Sequence, residues 1–194
     1  IGSSVLDLVY LHENGFFAGI DLPQGVFNQP HLNDFFALGK ERVREVRQRI
    51  SELLRHDNDT LKANLVAMEI ALVPMSEVQM LLPVRIPNYT DFYSSEEHAR
   101  NVGSMFRDPK NALLPNWKHL PIAYHGRASS IVVSGTPIQR PRGQVKSEEN
   151  EPPALCPTHK LDFELEVAFI SCGETKLGQP VSTSEAEDLI IGFV

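Results

Sequence analysis

Residues 88–127 concentrate the side-chain types that enzymes use for metal ligation, proton transfer and carboxylate recognition. The members of this group are Asp91, Tyr93, His98, Arg107, Tyr124, His125 and Arg127. Aromatic residues alternate with others over 89–93, which predicts a short strand there. Because side chains on a strand repeat with a period of two, Asp91 and Tyr93 are expected to share one face.

The residues after this predicted strand carry a helix start signal. Ser94 and Glu97 have the spacing of a capping box, in which each side chain accepts from the other residue's backbone amide. We therefore expect a helix from Ser94 to about Gly103, with His98 in its first turn. The positive end of the helix dipole favours a neutral imidazole there, which is able to accept a proton. The alternative is an ordinary surface histidine, with Asp91 as a turn residue.

A second group of acidic residues lies at 161–169, where polar and apolar residues alternate. A strand would put Asp162, Glu164 and Glu166 on one face, with neighbouring carboxylates about 6.6 to 7 Å apart. Oxygen-only ligands select a hard cation such as Ca²⁺ or Mg²⁺. A solvated acidic strand face is the alternative. Taken together with Asp91, the pattern favours a metal site.

Composition excludes several classes of protein. The chain has 194 residues, of which 42% are hydrophobic and 22% charged, as is typical of a folded domain. Its net charge of −7 argues against nucleic acid as a partner, and its apolar runs are far shorter than a membrane span. Cys156 and Cys172 lack metal or redox spacing, which predicts free thiols in a reducing cytoplasm, with a disulfide as the alternative. Both chain ends look cut, since residue 1 is not Met and the last residues are apolar.

The remaining chain suggests two domains. A strand is expected over 1–10, an amphipathic helix pair after Asn28 with a break near Gly39, and a short helix from Thr60 to about Met68. Several prolines over 74–87 indicate a boundary, so we assign residues 1–83 to one domain and 84–194 to another. Short strands are expected at 120–124 and 130–134, and a surface loop at 146–153 that is mobile at 147–150.

Three blocks of the sequence resemble the fumarylacetoacetate hydrolase superfamily. They read YTDFYSSEEHARNVGSMFRDPKNALLPNW, YHGRASSIVVSGTPIQRPRGQ and LDFELEVAF. The resemblance covers the whole chain and is most specific from Tyr89 to Gln144. It implies an α+β, mainly β fold: a truncated SH3-like N-terminal domain with helices, then the first part of a mixed β-sandwich-roll catalytic domain.

The resemblance also implies an activity and a site. The reaction is hydrolysis of a carbon–carbon bond in 4-fumarylacetoacetate to fumarate and acetoacetate, the last step of tyrosine and phenylalanine catabolism. The implied protein is a cytoplasmic homodimer that uses Ca²⁺, with Mg²⁺ also associated, on a small diketo acid, without nucleic acid or membrane. The residues carried over are His98 as general base, Tyr93, Arg107 and Tyr124 as substrate contacts, and Asp91, Glu164 and Glu166 as metal ligands.

The departures from the pattern define the alternatives. The superfamily's remaining site residues lie beyond Val194, so this chain is expected to hold about half a site and to be inactive alone. Asn88 stands where an acidic residue is expected. Asp162, His125 and Arg127 are left out of the site, the last two because they can serve loop packing. The alternatives are a related keto-acid hydrolase, decarboxylase or isomerase, and a non-catalytic truncated product.

Overall fold

A computed structural model describes residues 1–146, 148 and 150–194, in an α+β arrangement. The helices are α1 (Leu8–Glu13), α2 (Asn33–Phe36), α3 (Lys40–Leu53), α4 (Asp59–Lys62), α5 (Leu65–Ala71), α6 (Glu96–Phe106) and α7 (Thr183–Ala186). The strands are β1 (Ser4–Leu6), β2 (Leu72–Pro74), β3 (Thr90–Phe92), β4 (Ala123–His125), β5 (Arg142–Val145), β6 (Ala154–Pro157), β7 (Phe169–Ser171) and β8 (Ile190–Phe193). The expected loop at 146–153 includes Ser147 and Glu149, which lie outside the described residues.

The strands pair antiparallel in twos: β1 with β2, β3 with β4, β5 with β6, and β7 with β8. The α+β class is confirmed. Helices nevertheless cover more of the described chain than strands do, so the expected excess of β structure is not found in this part. No helix of the described residues is long and apolar enough to cross a bilayer. The chain divides into two compact units, Ile1–Val84 with Ser134–Val194, and Arg85–Val133.

The first unit has its core in the N-terminal helices. Leu11, Leu53 and Leu61 are fully buried, and Phe27 and Phe35 pack with ring centroids 4.9 Å apart. The apolar period of α3 turns one side of that helix toward this core, as the sequence predicts. The break near Gly39 is also confirmed, because this residue has φ +88° and precedes α3.

Other helix starts in this unit differ from the prediction. The strand expected over 1–10 ends early because Asp7 accepts a hydrogen bond from the Tyr10 amide at 3.0 Å and begins α1. The helix expected near Asn28 begins at α2. In place of the single helix predicted from Thr60, Asn58 caps α4 and Asn64 caps α5. At α4 and α5 the cause is that several neighbouring residues are competent to cap, whereas α2 begins after Leu32, which makes no side-chain cap.

The strand predicted at 161–169 is wrong over most of its length. Only the last of these residues belongs to a strand, β7, and 161–168 have no regular structure. The large apolar side chains there are exposed, with Phe163 at 85% and Leu165 at 95%. Within this stretch, backbone pairing with a neighbouring strand begins at Ala168, which exchanges hydrogen bonds of 2.9 Å with Val194. Alternation records a preference for extended backbone, but a strand also needs a partner.

The second unit, Arg85–Val133, holds the antiparallel pair of β3 and β4, and α6 lies between these strands in the sequence. Strand β3 confirms the prediction for 89–93. Strand β4 overlaps the strand expected at 120–124, whereas no strand forms at 130–134. The predicted capping box is wrong by one residue: Ser95, not Ser94, accepts from the His98 amide at 3.2 Å. The helix then continues past Gly103 to Phe106.

Candidate active site

Pairing of β3 with β4 builds a polar cluster around one carboxylate. The register sets Asp91 opposite Tyr124. Oδ2 of Asp91 accepts hydrogen bonds from the hydroxyls of Tyr124 at 2.7 Å and of Tyr89 at 2.8 Å. The Asp91 side chain is only 14% exposed. The orientation of the carboxylate is therefore fixed by two neutral donors: Tyr124 from the paired strand β4, and Tyr89, the residue just before β3.

Arg127 completes this group, which we call the Asp91 cluster: Tyr89, Asp91, Tyr124 and Arg127. Nη2 of Arg127 donates to the Tyr124 hydroxyl at 3.2 Å and lies 3.9 Å from Oδ2 of Asp91. Its guanidinium carbon is 5.4 Å from the ring centroid of Tyr89 and 5.5 Å from that of Tyr124, within cation–π range. Gly126, with φ +96°, provides the turn that brings Arg127 back over the rings.

The Asp91 cluster shifts the ionisation of its own members. The pKa of Asp91 lies below its usual range because Tyr124 and Tyr89 donate to the carboxylate and Arg127 is close, while desolvation acts in the opposite direction. The pKa of each phenol is raised because its proton is held by Asp91, although Arg127 opposes the rise at both. At neutral pH the cluster therefore consists of a carboxylate, two protonated phenols and a guanidinium.

His98 and Tyr93 form a second contact in the same unit. The imidazole and phenol rings are 5.4 Å apart at 78°, an edge-to-face arrangement. Ser95 fixes the backbone of His98 in the first turn of α6, where the sequence placed it. Tyr93 is fixed at its carbonyl, which accepts from the Trp117 indole at 3.0 Å. The structure thus brings together the predicted general base and a predicted substrate contact.

Arg107 is anchored beside the end of α6. Its Nη2 and Nε donate to the Ala112 carbonyl at 2.9 and 3.3 Å. This approach requires Gly103, since an added Cβ would overlap the Ala112 oxygen and lie 3.0 Å from Nη2 of Arg107. The guanidinium is therefore held in place, and the described bonds leave Nη1 for a further acceptor.

The two predicted glutamate ligands lie in the other unit. Glu164 and Glu166 are exposed on the irregular stretch before β7. Within the part of the chain that is described, no three or more His, Cys, Asp or Glu side chains gather in a group able to hold a metal ion. The assignment of Asp91, Glu164 and Glu166 as metal ligands therefore stays a prediction, as do the assignments of His98, Tyr93, Arg107 and Tyr124.

Sequence reasoning missed two members of the Asp91 cluster. The aromatic alternation predicts a strand through Tyr89 but no role for its hydroxyl, and Arg127 is left out of the predicted site because it can serve loop packing. The signal for Tyr89 was its spacing of two from Asp91, which puts both on one strand face. The signal for Arg127 was Gly126 directly before it, since a positive-φ turn returns the next side chain toward the strand it follows.

Comparison with known proteins defines the class. A family model described as fumarylacetoacetate (FAA) hydrolase C-terminal matches residues 88–194, and one described as fumarylacetoacetase N-terminal matches residues 1–83. The chain belongs to the fumarylacetoacetate hydrolase family.

Individual relatives narrow this class further. The chain is 50% identical over 196 aligned residues to the fumarylacetoacetase of Dictyostelium discoideum and 45% identical over 196 to that of Homo sapiens. It is 49% identical over 197 to the fumarylacetoacetase of Caenorhabditis elegans. These alignments cover 100% of the chain but only 46%, 46% and 47% of the relatives. The chain therefore spans about half the length of the curated relatives that it matches.

Proposed function

We propose that the protein represented by this chain hydrolyses a carbon–carbon bond in 4-fumarylacetoacetate to give fumarate and acetoacetate. The observation that carries the proposal is one compact unit that holds both an oriented carboxylate, Asp91, and an imidazole at a helix start, His98. Whole-chain identity of 43–50% to fumarylacetoacetases supports this reaction over the related keto-acid activities.

Asp91, Glu164 and Glu166 are proposed as ligands of a divalent cation, Ca²⁺ or Mg²⁺. The donor types fit, since all three side chains offer carboxylate oxygens, which these hard cations prefer. Asp91 fits further because its lowered pKa keeps it ionised. When bound, the cation supplies Lewis-acid polarisation of the diketone oxygens.

His98 is proposed to take the proton of the attacking water. It lies in the first turn of α6, and its ring packs edge-to-face with the ring of Tyr93. General base catalysis of this kind contributes roughly 10²- to 10⁴-fold to the rate. His98 would thus make the attacking water more nucleophilic by taking its proton, while Tyr93 packs against the imidazole.

Arg107, Tyr93 and Tyr124 are proposed to contact the substrate. A guanidinium held at the Ala112 carbonyl presents fixed positive charge to a substrate carboxylate. The Tyr93 phenol can donate to a substrate oxygen without adding charge. Tyr124 is proposed as a contact that does not donate, because its one hydroxyl proton already goes to Asp91.

The finer fold and the biological setting follow from the resemblance. They comprise the SH3-like N-terminal domain over 1–83, the sandwich-roll domain from 84, a homodimer, a cytoplasmic location, and action on a small diketo acid without nucleic acid or membrane. Family models that match 1–83 and 88–194 support a two-part chain.

Hydrolysis of fumarylacetoacetate by the purified full-length protein tests the proposed reaction. We expect turnover by the wild type and a loss of roughly 10²- to 10⁴-fold in kcat for His98→Ala. His119→Ala is the matched control, because His119 is an exposed histidine of the same unit at the end of a 3₁₀ turn. Absence of turnover by the wild type, or full activity of His98→Ala, contradicts the proposal.

A further inference from the structure

The hydrogen bonds of the Asp91 cluster restrict how the Asp91 carboxylate can turn. A carboxylate rotates broadly about its last torsion, so a ligand that waits for a cation has to be held by its surroundings. Here both phenol hydroxyls donate to the same oxygen, Oδ2. The contacts described for this carboxylate therefore leave Oδ1 as the oxygen for a cation.

Arg127 acts on Asp91 through Tyr124. A phenol hydroxyl has one proton to donate and lone pairs with which to accept. Since Nη2 of Arg127 donates to this hydroxyl at 3.2 Å, the phenol's own proton is directed to Oδ2 of Asp91 at 2.7 Å. The guanidinium also lies over both phenol rings, which ties Tyr89 and Tyr124 into one arrangement.

We propose that Tyr89 and Arg127 are positioning residues that hold Asp91 with Oδ2 covered and Oδ1 left to bind the divalent cation. This inference rests on the proposed function, in which Asp91 is a metal ligand. It assigns a role to two residues that do not contact the cation themselves. Outer partners of this kind typically affect metal affinity by about 10- to 100-fold.

The sign of the Arg127 effect separates positioning from simple charge. A guanidinium that acted only as a positive charge would repel the cation, so its removal would tighten binding. Positioning predicts the opposite, because loss of Arg127 frees the Tyr124 hydroxyl and with it the carboxylate. The direction in which Arg127→Met changes the Kd for the cation therefore tells the two roles apart.

Calorimetric titration of the chelator-treated full-length protein with Ca²⁺, and separately with Mg²⁺, tests the proposal. We expect Arg127→Met and Tyr89→Phe each to raise Kd about 10- to 100-fold. Arg100→Met is the matched control, since Arg100 is half-exposed on α6 and pairs with Glu96, away from the cluster. We expect its Kd within about 2-fold of the wild type, because exposed ion pairs contribute little.

A double variant tests whether Arg127 works through Tyr124. If it does, Arg127→Met weakens binding much less in a Tyr124→Phe background than in the wild type. If the fold-increases in Kd of the two single variants multiply in the double variant, Arg127 does not act through Tyr124. Should Arg127→Met fail to fold by circular dichroism, Tyr89→Phe carries the test, since it removes one hydroxyl.

Asp91→Asn distinguishes the two ways of failing. If Asp91→Asn loses the cation while Tyr89→Phe and Arg127→Met bind as tightly as the wild type or more tightly, the positioning role is wrong and the metal ligand stands. If Asp91→Asn binds as the wild type does, Asp91 is not a ligand, and the proposed metal site falls together with the positioning role.

Discussion

Gly103→Ala tests the packing that fixes Arg107. Gly103 lies inside α6, where alanine is normally favoured over glycine by about 0.8 to 1 kcal/mol. At this position, however, a Cβ would overlap the Ala112 carbonyl oxygen and lie 2.9 Å from the carbonyl carbon. Ala112 is 2% exposed, so its backbone has little room to retreat. We therefore expect the usual preference for alanine to be reversed.

The magnitude follows from the contacts that have to change. If the Ala112 carbonyl moves away, its charge-assisted hydrogen bonds from Arg107 are lost, at about 1.5 to 3 kcal/mol. If the carbonyl stays, overpacking costs about 1 to 3 kcal/mol. After subtracting the helix preference of about 1 kcal/mol, the net loss of stability is about 0.5 to 2 kcal/mol in the first case and about 0 to 2 kcal/mol in the second.

Denaturant unfolding, together with amide hydrogen exchange in α6, measures this loss. Gly143→Ala is the control, because Gly143 has ordinary φ and nothing within 4 Å of an added Cβ. We expect Gly103→Ala to lower the unfolding free energy and speed exchange in α6, while Gly143→Ala leaves exchange there unchanged. A Gly103→Ala protein that is more stable than the wild type, as the helix preference alone would make it, refutes the reasoning.

Three further predictions concern the core, a cap and a thiol. In denaturant unfolding, Leu53→Ala is expected to cost about 2 to 5 kcal/mol because the side chain is fully buried, whereas Leu65→Ala, at a residue 79% exposed, is expected to stay within about 0.5 kcal/mol. By the same assay Ser95→Ala is expected to cost about 1 kcal/mol as the loss of an N-cap, and Ser94→Ala less than about 0.5 kcal/mol; the reverse order contradicts the cap. Burial raises the pKa of the Cys172 thiol although Lys40 opposes it, so its alkylation rate, which follows the thiolate, is expected to rise with pH through a midpoint above that of an unstructured cysteine peptide; a midpoint at or below that of the peptide contradicts this.

Much of the candidate site was predictable because it depends on local pattern. Alternation placed Asp91 on a strand, and the serine and glutamate run placed His98 in a first helical turn. Both signals act over a few residues, where backbone preference decides the structure. The cap moved by one residue because Ser94 and Ser95 both offer a hydroxyl.

Features that depend on pairing were not predictable in the same way. The role of Tyr124 toward Asp91 depends on the register of β3 with β4, which the hydrophobic pattern of two three-residue strands does not define. Residues 161–167 show the converse, since a clear alternation there forms no strand, and backbone pairing with Val194 starts only at Ala168. The approach of Gly103 to Ala112 depends on how α6 meets the turn after it.

In the proposed mechanism, hydrolysis depends on a divalent cation bound by Asp91 and its proposed partners Glu164 and Glu166. The most direct measurement is fumarylacetoacetate turnover by the full-length protein before chelation, after chelation and after return of Ca²⁺ or Mg²⁺. We expect activity to disappear with the cation and to return with it, and Glu166→Gln to need a higher cation concentration for recovery. Turnover that persists in the fully chelated protein contradicts the claim.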